Sequence, residues 1–204
     1  MRLYIADLHF FHRNINARLD KRGFKDMEEM NQFMIQQWNS KVRPTDEVVV
    51  LGDLSFGNGT QTNWLLKQLN GKIFLIEGNH DHNFLKDPKF DRSLIGWTKK
   101  YEELYDNGKR VVLCHYPILF YNKQYQTDTK GSSKTYMLSG HIHDTHDMRL
   151  LEQVKKLFEN NTFYRETGEP FAVPFNIINC FCMYSNYIPL TLDEWIEKSK
   201  HPVL

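Results

Sequence analysis

The chain has 204 residues and an ordinary apolar content, enough for a single domain spanning 1–204 with a real core. Its formal net charge of +1 makes no electrostatic case for nucleic acid or an anionic membrane. No apolar run approaches the ~18 residues needed to span a bilayer, so no membrane partner is expected.

Cys114, Cys180 and Cys182 include no C-x-x-C pair, which argues for a reducing compartment. The first residues lack a signal-peptide pattern, and a cytoplasmic location is expected.

Leu3 to Ile5 reads as a strand that runs into Asp7-Leu8-His9-Phe10-Phe11-His12. On an extended backbone Asp7 and His9, two apart, project from the same side. From about Asp26 to Ser40, Met27, Met30, Phe33, Met34 and Trp38 recur at helical spacing and read as core packing. Val48 to Leu51 is a continuous β-branched run, as a fully buried strand requires, and it ends in Gly52-Asp53-Leu54.

Ser55 to Thr62 reads as a loop, and a short helix follows from about Thr62 to Leu69. Ile73 to Ile76 is the next strand, ending in Glu77-Gly78-Asn79-His80-Asp81. Strand, helix and strand with short connections form a βαβ unit, so these strands should be parallel and the class α/β (α+β by some schemes).

Asn83 to Gly108 carries only a weak signal. Val111 to Cys114 reads as a buried strand leading to His115-Tyr116-Pro117. Tyr121 to Tyr136 reads as a long exposed loop. Met137 to Ser139 leads to Gly140-His141-Ile142-His143. An amphipathic helix is expected over Leu150 to Phe158, and a strand over Phe175 to Met183. Thr191 to Glu194 forms a capping box that opens a last helix, to about Ser199.

Five strand ends therefore carry five polar clusters: Asp7 with His9; Asp53; Asn79 with His80 and Asp81; His115; and His141 with His143. In an open α/β sheet, ligands bind outside the strand C-termini. Imidazole and carboxylate are the donors preferred by borderline divalent ions such as zinc, manganese, iron and cobalt. So many donors exceed the need of one ion and suit two ions sharing a carboxylate. Two-metal sites favour displacement at phosphorus.

In order and spacing, Asp7-Leu8-His9, Gly52-Asp53, Gly78-Asn79-His80-Asp81, His115 and Gly140-His141-Ile142-His143 resemble the signature of the calcineurin-like metallophosphoesterases. The resemblance implies a two-layer β-sandwich of mixed sheets flanked by helices, with a dinuclear site at the strand ends. It implies that Asp7, His9 and His143 hold one metal, that Asn79, His115 and His141 hold the other, and that Asp53 bridges both together with a hydroxide. The cofactor implied is a pair of divalent ions drawn from Mn, Fe, Zn, Ni or Co.

His80 resembles the histidine that steadies or protonates the leaving oxygen. Asp81 would orient His80 through its other ring nitrogen, or else serve as a turn-capping carboxylate. The implied catalytic set is His80, Asp53 and Asp81. Many family members read G-D-x-x-D-R-G after the bridging aspartate, whereas here Gly52-Asp53-Leu54-Ser55-Phe56-Gly57 has no arginine to grip phosphate. Arg13, Asn14, Lys123 and Lys130 are the candidates for that task, while His12 and His82 lie beside the motifs within reach of a substrate.

The expected function is a metal-dependent phosphoesterase, a phosphodiesterase before a phosphomonoesterase or a nuclease. A non-catalytic scaffold ranks below these because every ligand and His80 is present. A small phosphate ester is the expected substrate, nucleic acid is not indicated, and oligomeric state is left open.

Overall fold

A computed structural model describes residues 1–200. In chain order the elements are β1 (Arg2–Ile5), α1 (Met27–Lys41), β2 (Glu47–Val50), α2 (Gly59–Leu66), β3 (Lys72–Ile76), α3 (His82–Lys86) and β4 (Thr98–Lys99). Then come β5 (Tyr101–Asp106), β6 (Lys109–Cys114), β7 (Thr135–Ser139), α4 (His146–Asn160), β8 (Phe163–Tyr164), β9 (Pro170–Phe171), β10 (Ile177–Asn179) and α5 (Leu192–Lys200). Two sheets of four strands result, in the orders β1-β2-β3-β4 and β10-β7-β6-β5, with β8 and β9 as a separate small hairpin. Pairing in the first sheet is parallel throughout, while the second adds an antiparallel β5–β6 pair to parallel neighbours.

The side-chain alternation along each strand decides the layering. Leu3, Ile5, Val48, Val50, Ile73 and Leu75 face Met30, Met34 and Trp38 of α1 and Leu65 of α2. Their neighbours Tyr4, Ala6, Val49, Leu51, Phe74 and Ile76 face the second sheet, where Val111, Leu113, Leu138 and Ile178 meet them. The outer face of that sheet, Val112, Met137 and Ile177, is covered by Leu151 of α4 and by Ile118. Strands buried on both faces need continuous apolar runs, which is why these read as unbroken apolar stretches. The result is the expected two-layer sandwich of sheets flanked by helices.

Along one edge the sheets close on each other. The Ala6 N–H donates to Cys180 O at 2.8 Å, and the Trp195 indole N–H donates to Tyr4 O at 2.9 Å. Trp195 is thus buried in the core.

Several boundaries differ from expectation. The first residues of the expected loop Ser55 to Thr62 are followed by α2, which starts at Gly59 because Asn58 and Gln61 form a reciprocal capping box. The weak stretch before Gly108 contains β5, joined to β6 by Asn107 and Gly108, both left-handed at φ 47° and 75°. That is a two-residue Asn-Gly hairpin, a readable signal. The expected strand Phe175 to Met183 shortens to β10 and then curls into a 3-10 turn at Cys182–Ser185. Tyr136 lies in β7, and Gln124, deep in the supposed exposed loop, is buried and donates to Pro174 O at 2.9 Å. Among the described residues, no helix is long and apolar enough to cross a membrane.

Candidate metal centre

Parallel pairing sends the C-terminal ends of β1, β2 and β3 to one side of the first sheet, and those of β6 and β7 to one side of the second. The five polar clusters follow those ends. Their side chains form two groups of donors that meet at one oxygen.

In the first group, Asp7, His9, Asp53 and His143 each offer a ligand atom, all within 4.8 Å of one another. His9 Nε2 lies 3.2 Å from His143 Nε2 and 3.5 Å from Asp53 Oδ2, and His143 Nε2 lies 3.6 Å from Asp7 Oδ1. In the second group, Asn79 Oδ1 lies 3.0 Å from both His115 Nε2 and His141 Nδ1. His115 Nε2 is also 3.6 Å from Asp53 Oδ2, the same oxygen that His9 approaches.

The donor chemistry fits cations. His115 Nδ1 sits 2.8 Å from the Leu51 carbonyl, which can only accept, so Nδ1 carries the proton. Nε2 then presents a lone pair toward Asn79 Oδ1 and Asp53 Oδ2, which are acceptors themselves. Acceptors converging without a donor are costly in a buried site and are explained by a cation among them. In the first group the imidazole nitrogens of His9 and His143 face each other, and His9 Nδ1 is buried without a partner.

The backbone is bent to bring these groups together. Asp7, His9, Asp53, His141 and His143 all have positive φ, at 57°, 51°, 54°, 72° and 44°. Each such residue costs roughly 1–2 kcal/mol, and strain of this kind collects at functional sites. Asp7 and His9 therefore meet through left-handed turns, not along the extended backbone expected from their spacing. The turns are tied by main-chain bonds from Asp7 N–H to Gly52 O at 3.1 Å and from His9 N–H to Asp53 O at 2.8 Å. The His141 N–H donates to Asp7 Oδ1 at 2.9 Å. Gly52, itself at φ 91°, leaves room for the His115 ring, which any Cβ there would strike.

Asp81 departs from one expected role. Its carboxylate does not reach the His80 ring. Oδ2 accepts the N–H groups of Asp53 at 2.9 Å and Gly78 at 2.8 Å, and Oδ1 accepts that of Leu54 at 2.8 Å. It is the capping carboxylate of the loop, fully buried. Burial pushes its carboxyl up to about 7, against the pull of the Gly78 N–H.

The His80 ring forms no hydrogen bond within the described residues. It lies between His9 at 5.5 Å and Phe56 at 5.0 Å, and its main-chain N–H donates to Asp53 Oδ1 at 2.9 Å. His12 also packs against Phe56, at 4.1 Å, with Nδ1 accepting the Ile15 N–H at 3.1 Å. His82 is exposed and tied to Asn79 O at 2.9 Å. Arg13, Asn14, Lys123 and Lys130 are all exposed.

Two residues at the centre carry no motif. Asp20 Oδ1 lies 2.7 Å from His143 Nδ1, and Asp20 Oδ2 lies 2.8 Å from Arg22 Nη2. Burial alone would lower His143, but the bonds to Asp20 and Asp7 outweigh it and hold the imidazole up at about 9. His9 is driven the other way, first by burial and then by the neighbouring His143 and Arg22. A groove of about 820 Å³ lies between α4 and α5 beside β10 and contains none of the clustered donors.

Residues 3–175 match the family model described as calcineurin-like phosphoesterase. The uncharacterized protein MJ1445 of Methanocaldococcus jannaschii is 35% identical over 201 residues, covering 96% of this chain and 91% of that relative. A crystal structure of the protein of unknown function AQ665 from Aquifex aeolicus superposes with a TM-score of 0.61 at 20% identity, over 98% of each chain. At that identity the likeness is one of fold.

Proposed function

Because the chain belongs to the calcineurin-like phosphoesterase family, we propose that it is a metal-dependent phosphodiesterase working at the centre just described. The observation that carries this is the meeting of two donor groups at Asp53 Oδ2. We assign Asp7, His9 and His143 to one divalent ion, Asn79, His115 and His141 to a second, and Asp53 to both. Bound there, two such ions would supply Lewis-acid polarisation of the phosphoryl oxygens and a water acidic enough to ionise near neutral pH.

The chain's own residues set the charge and the proton path. Only Asp7 and Asp53 among the seven assigned donors are carboxylates. Against two dications they leave the centre net positive, which suits an anionic ester. We assign His80, whose ring is free of other bonds, the role of handing a proton to the leaving oxygen. Arg22 is the buried arginine closest to the ligands by its bonds, but Asp20 and two main-chain carbonyls use up its guanidinium. A monoester dianion would want such a cation. A diester carries one charge fewer and needs none, which supports the diester over the monoester. The substrate is proposed to be small and accessible.

The test is hydrolysis of bis-p-nitrophenyl phosphate against p-nitrophenyl phosphate by protein stripped of metal and then restored with manganese, nickel or zinc. Metal-dependent turnover of the diester in preference to the monoester is expected. Preference for the monoester would replace the diesterase with a phosphatase. Two bound ions with no turnover of either ester would contradict the hydrolase.

A further inference from the structure

We propose that Asp20, held by Arg22, is the positioning residue for His143 and tunes one of the two metal positions without touching the other. The proposal rests on the two-metal reading of the centre.

The local structure is built to place this carboxylate. A single π-helical turn at Ile15–Leu19 delivers Asp20, whose N–H bonds Ile15 O at 3.0 Å. Such turns recur at functional sites. Asn16 braces the loop by donating to Phe24 O at 2.6 Å and accepting the Phe24 N–H at 3.0 Å. Arg22 then fixes both ends of the arrangement. Its Nε and Nη2 grip Asp20 Oδ2 at 3.1 and 2.8 Å, while Nη1 and Nη2 donate to the Leu8 and Asp7 carbonyls at 2.7 and 2.8 Å. The Arg22 side chain is 0% exposed and that of Asp20 is 5% exposed. One guanidinium thus ties the backbone of a proposed ligand to the carboxylate behind another.

Asp20 Oδ1, at 2.7 Å, holds the proton of His143 on Nδ1 and leaves the Nε2 lone pair for the metal. The ring has other supports: it stacks on Phe181 at 4.8 Å and 19°, and its main-chain carbonyl accepts from Asn179 Nδ2 at 2.8 Å. Removing the Asp20 charge should therefore leave the ring near its place but weaken it as a donor.

The other imidazoles are backed differently. His115 Nδ1 faces the neutral Leu51 carbonyl, and His9 Nδ1 has no partner. Among the described residues, His143 is the one proposed ligand whose second ring nitrogen meets a carboxylate. The effect should fall on the position shared with Asp7 and His9, and not on the one built from Asn79, His115 and His141.

The experiment is calorimetric titration of metal-free protein with Mn²⁺, and with Co²⁺ followed by visible absorption, for the unaltered chain, Asp20→Asn and Asp20→Ala. The unaltered chain is expected to take two ions. Asp20→Asn should weaken one of them about 10–100-fold, in line with the loss of an outer-shell partner, and Asp20→Ala should weaken it further. The cobalt bands of that ion alone should change, even where loss of the buried pair with Arg22 and His143 lowers the metal-free melting temperature of Asp20→Asn. Equal weakening of both ions, in step with a fall in metal-free melting temperature, would mean a general structural role and overturn the proposal. So would two unchanged affinities. An unaltered chain that takes up no divalent ion would overturn the two-metal reading itself, and this proposal with it.

Discussion

Asp53 Oδ1 accepts the main-chain N–H of His80 at 2.9 Å, so the shared carboxylate and the free imidazole are tied by one bond. The other oxygen, Oδ2, faces His9 and His115 at 3.5 and 3.6 Å. The His80 ring contributes nothing to the donor groups. His80→Ala should therefore leave metal uptake intact while lowering kcat about 10²–10⁴-fold, the usual worth of a positioned proton donor. Turnover and calorimetry on the same preparation check this. A lost metal would show that His80 is a ligand.

Asp81 predicts a loss of stability. Its two oxygens satisfy the N–H groups of Asp53, Leu54 and Gly78 in a fully buried loop. Asp81→Ala strands these donors at a cost of roughly 1–3 kcal/mol each where water cannot enter, so a loss of about 3 kcal/mol or more is expected in urea unfolding. Asp81→Asn keeps one acceptor and should cost less. An Asp81→Ala protein as stable as the unaltered one would remove the strut.

Gly52 predicts a selective loss. Its φ of 91° disfavours any side chain, and a Cβ would run into the His115 ring. Gly52→Ala should cost roughly 1–2 kcal/mol for the left-handed backbone alone, with more from the overlap. Displacement of His115 should also abolish uptake of the ion assigned to Asn79, His115 and His141, seen as one ion bound in place of two. Retention of both ions would contradict the close approach.

The pH dependence of the metal-free protein follows from His143. Its folded value of about 9 lies above the ordinary 6.5. The raised value means that the pair with Asp20 stabilises the fold fully below pH 6.5 and loses that contribution as pH rises through about 9. The urea midpoint of metal-free protein should fall over this window, and the fall should flatten in Asp20→Asn. Divalent ions must displace the same proton, so their affinity should rise over the window. A midpoint flat with pH would contradict the charged pair.

Much of the centre was legible because buried parallel strands write themselves plainly. Val48 to Leu51 and Ile73 to Ile76 are unbroken apolar runs, and the donors begin where they stop. The helix carrying Met30, Met34 and Trp38 was legible for the matching reason, a period of 3.6 residues. What escaped had weaker grammar. β5 lies at the end of its sheet, buries no residue fully and carries Glu102, Glu103 and Asp106, so only its Asn-Gly turn spoke for it. Asp20 lies in a loop 123 residues before His143, and no spacing rule links them. That contact exists only because Arg22 and the π turn fold the loop back under Asp7. The left-handed turns at Asp7, His9 and His143 were equally silent, since an extended backbone also puts Asp7 and His9 on one side.

The central claim is that two ions share Asp53, and anomalous diffraction from crystals soaked in Mn²⁺ tests it most directly. Two peaks about 3.5–4 Å apart are expected, one beside Asp7, His9 and His143 and the other beside Asn79, His115 and His141, with Asp53 Oδ2 between them. A single peak, or peaks away from Asp53, would contradict the account.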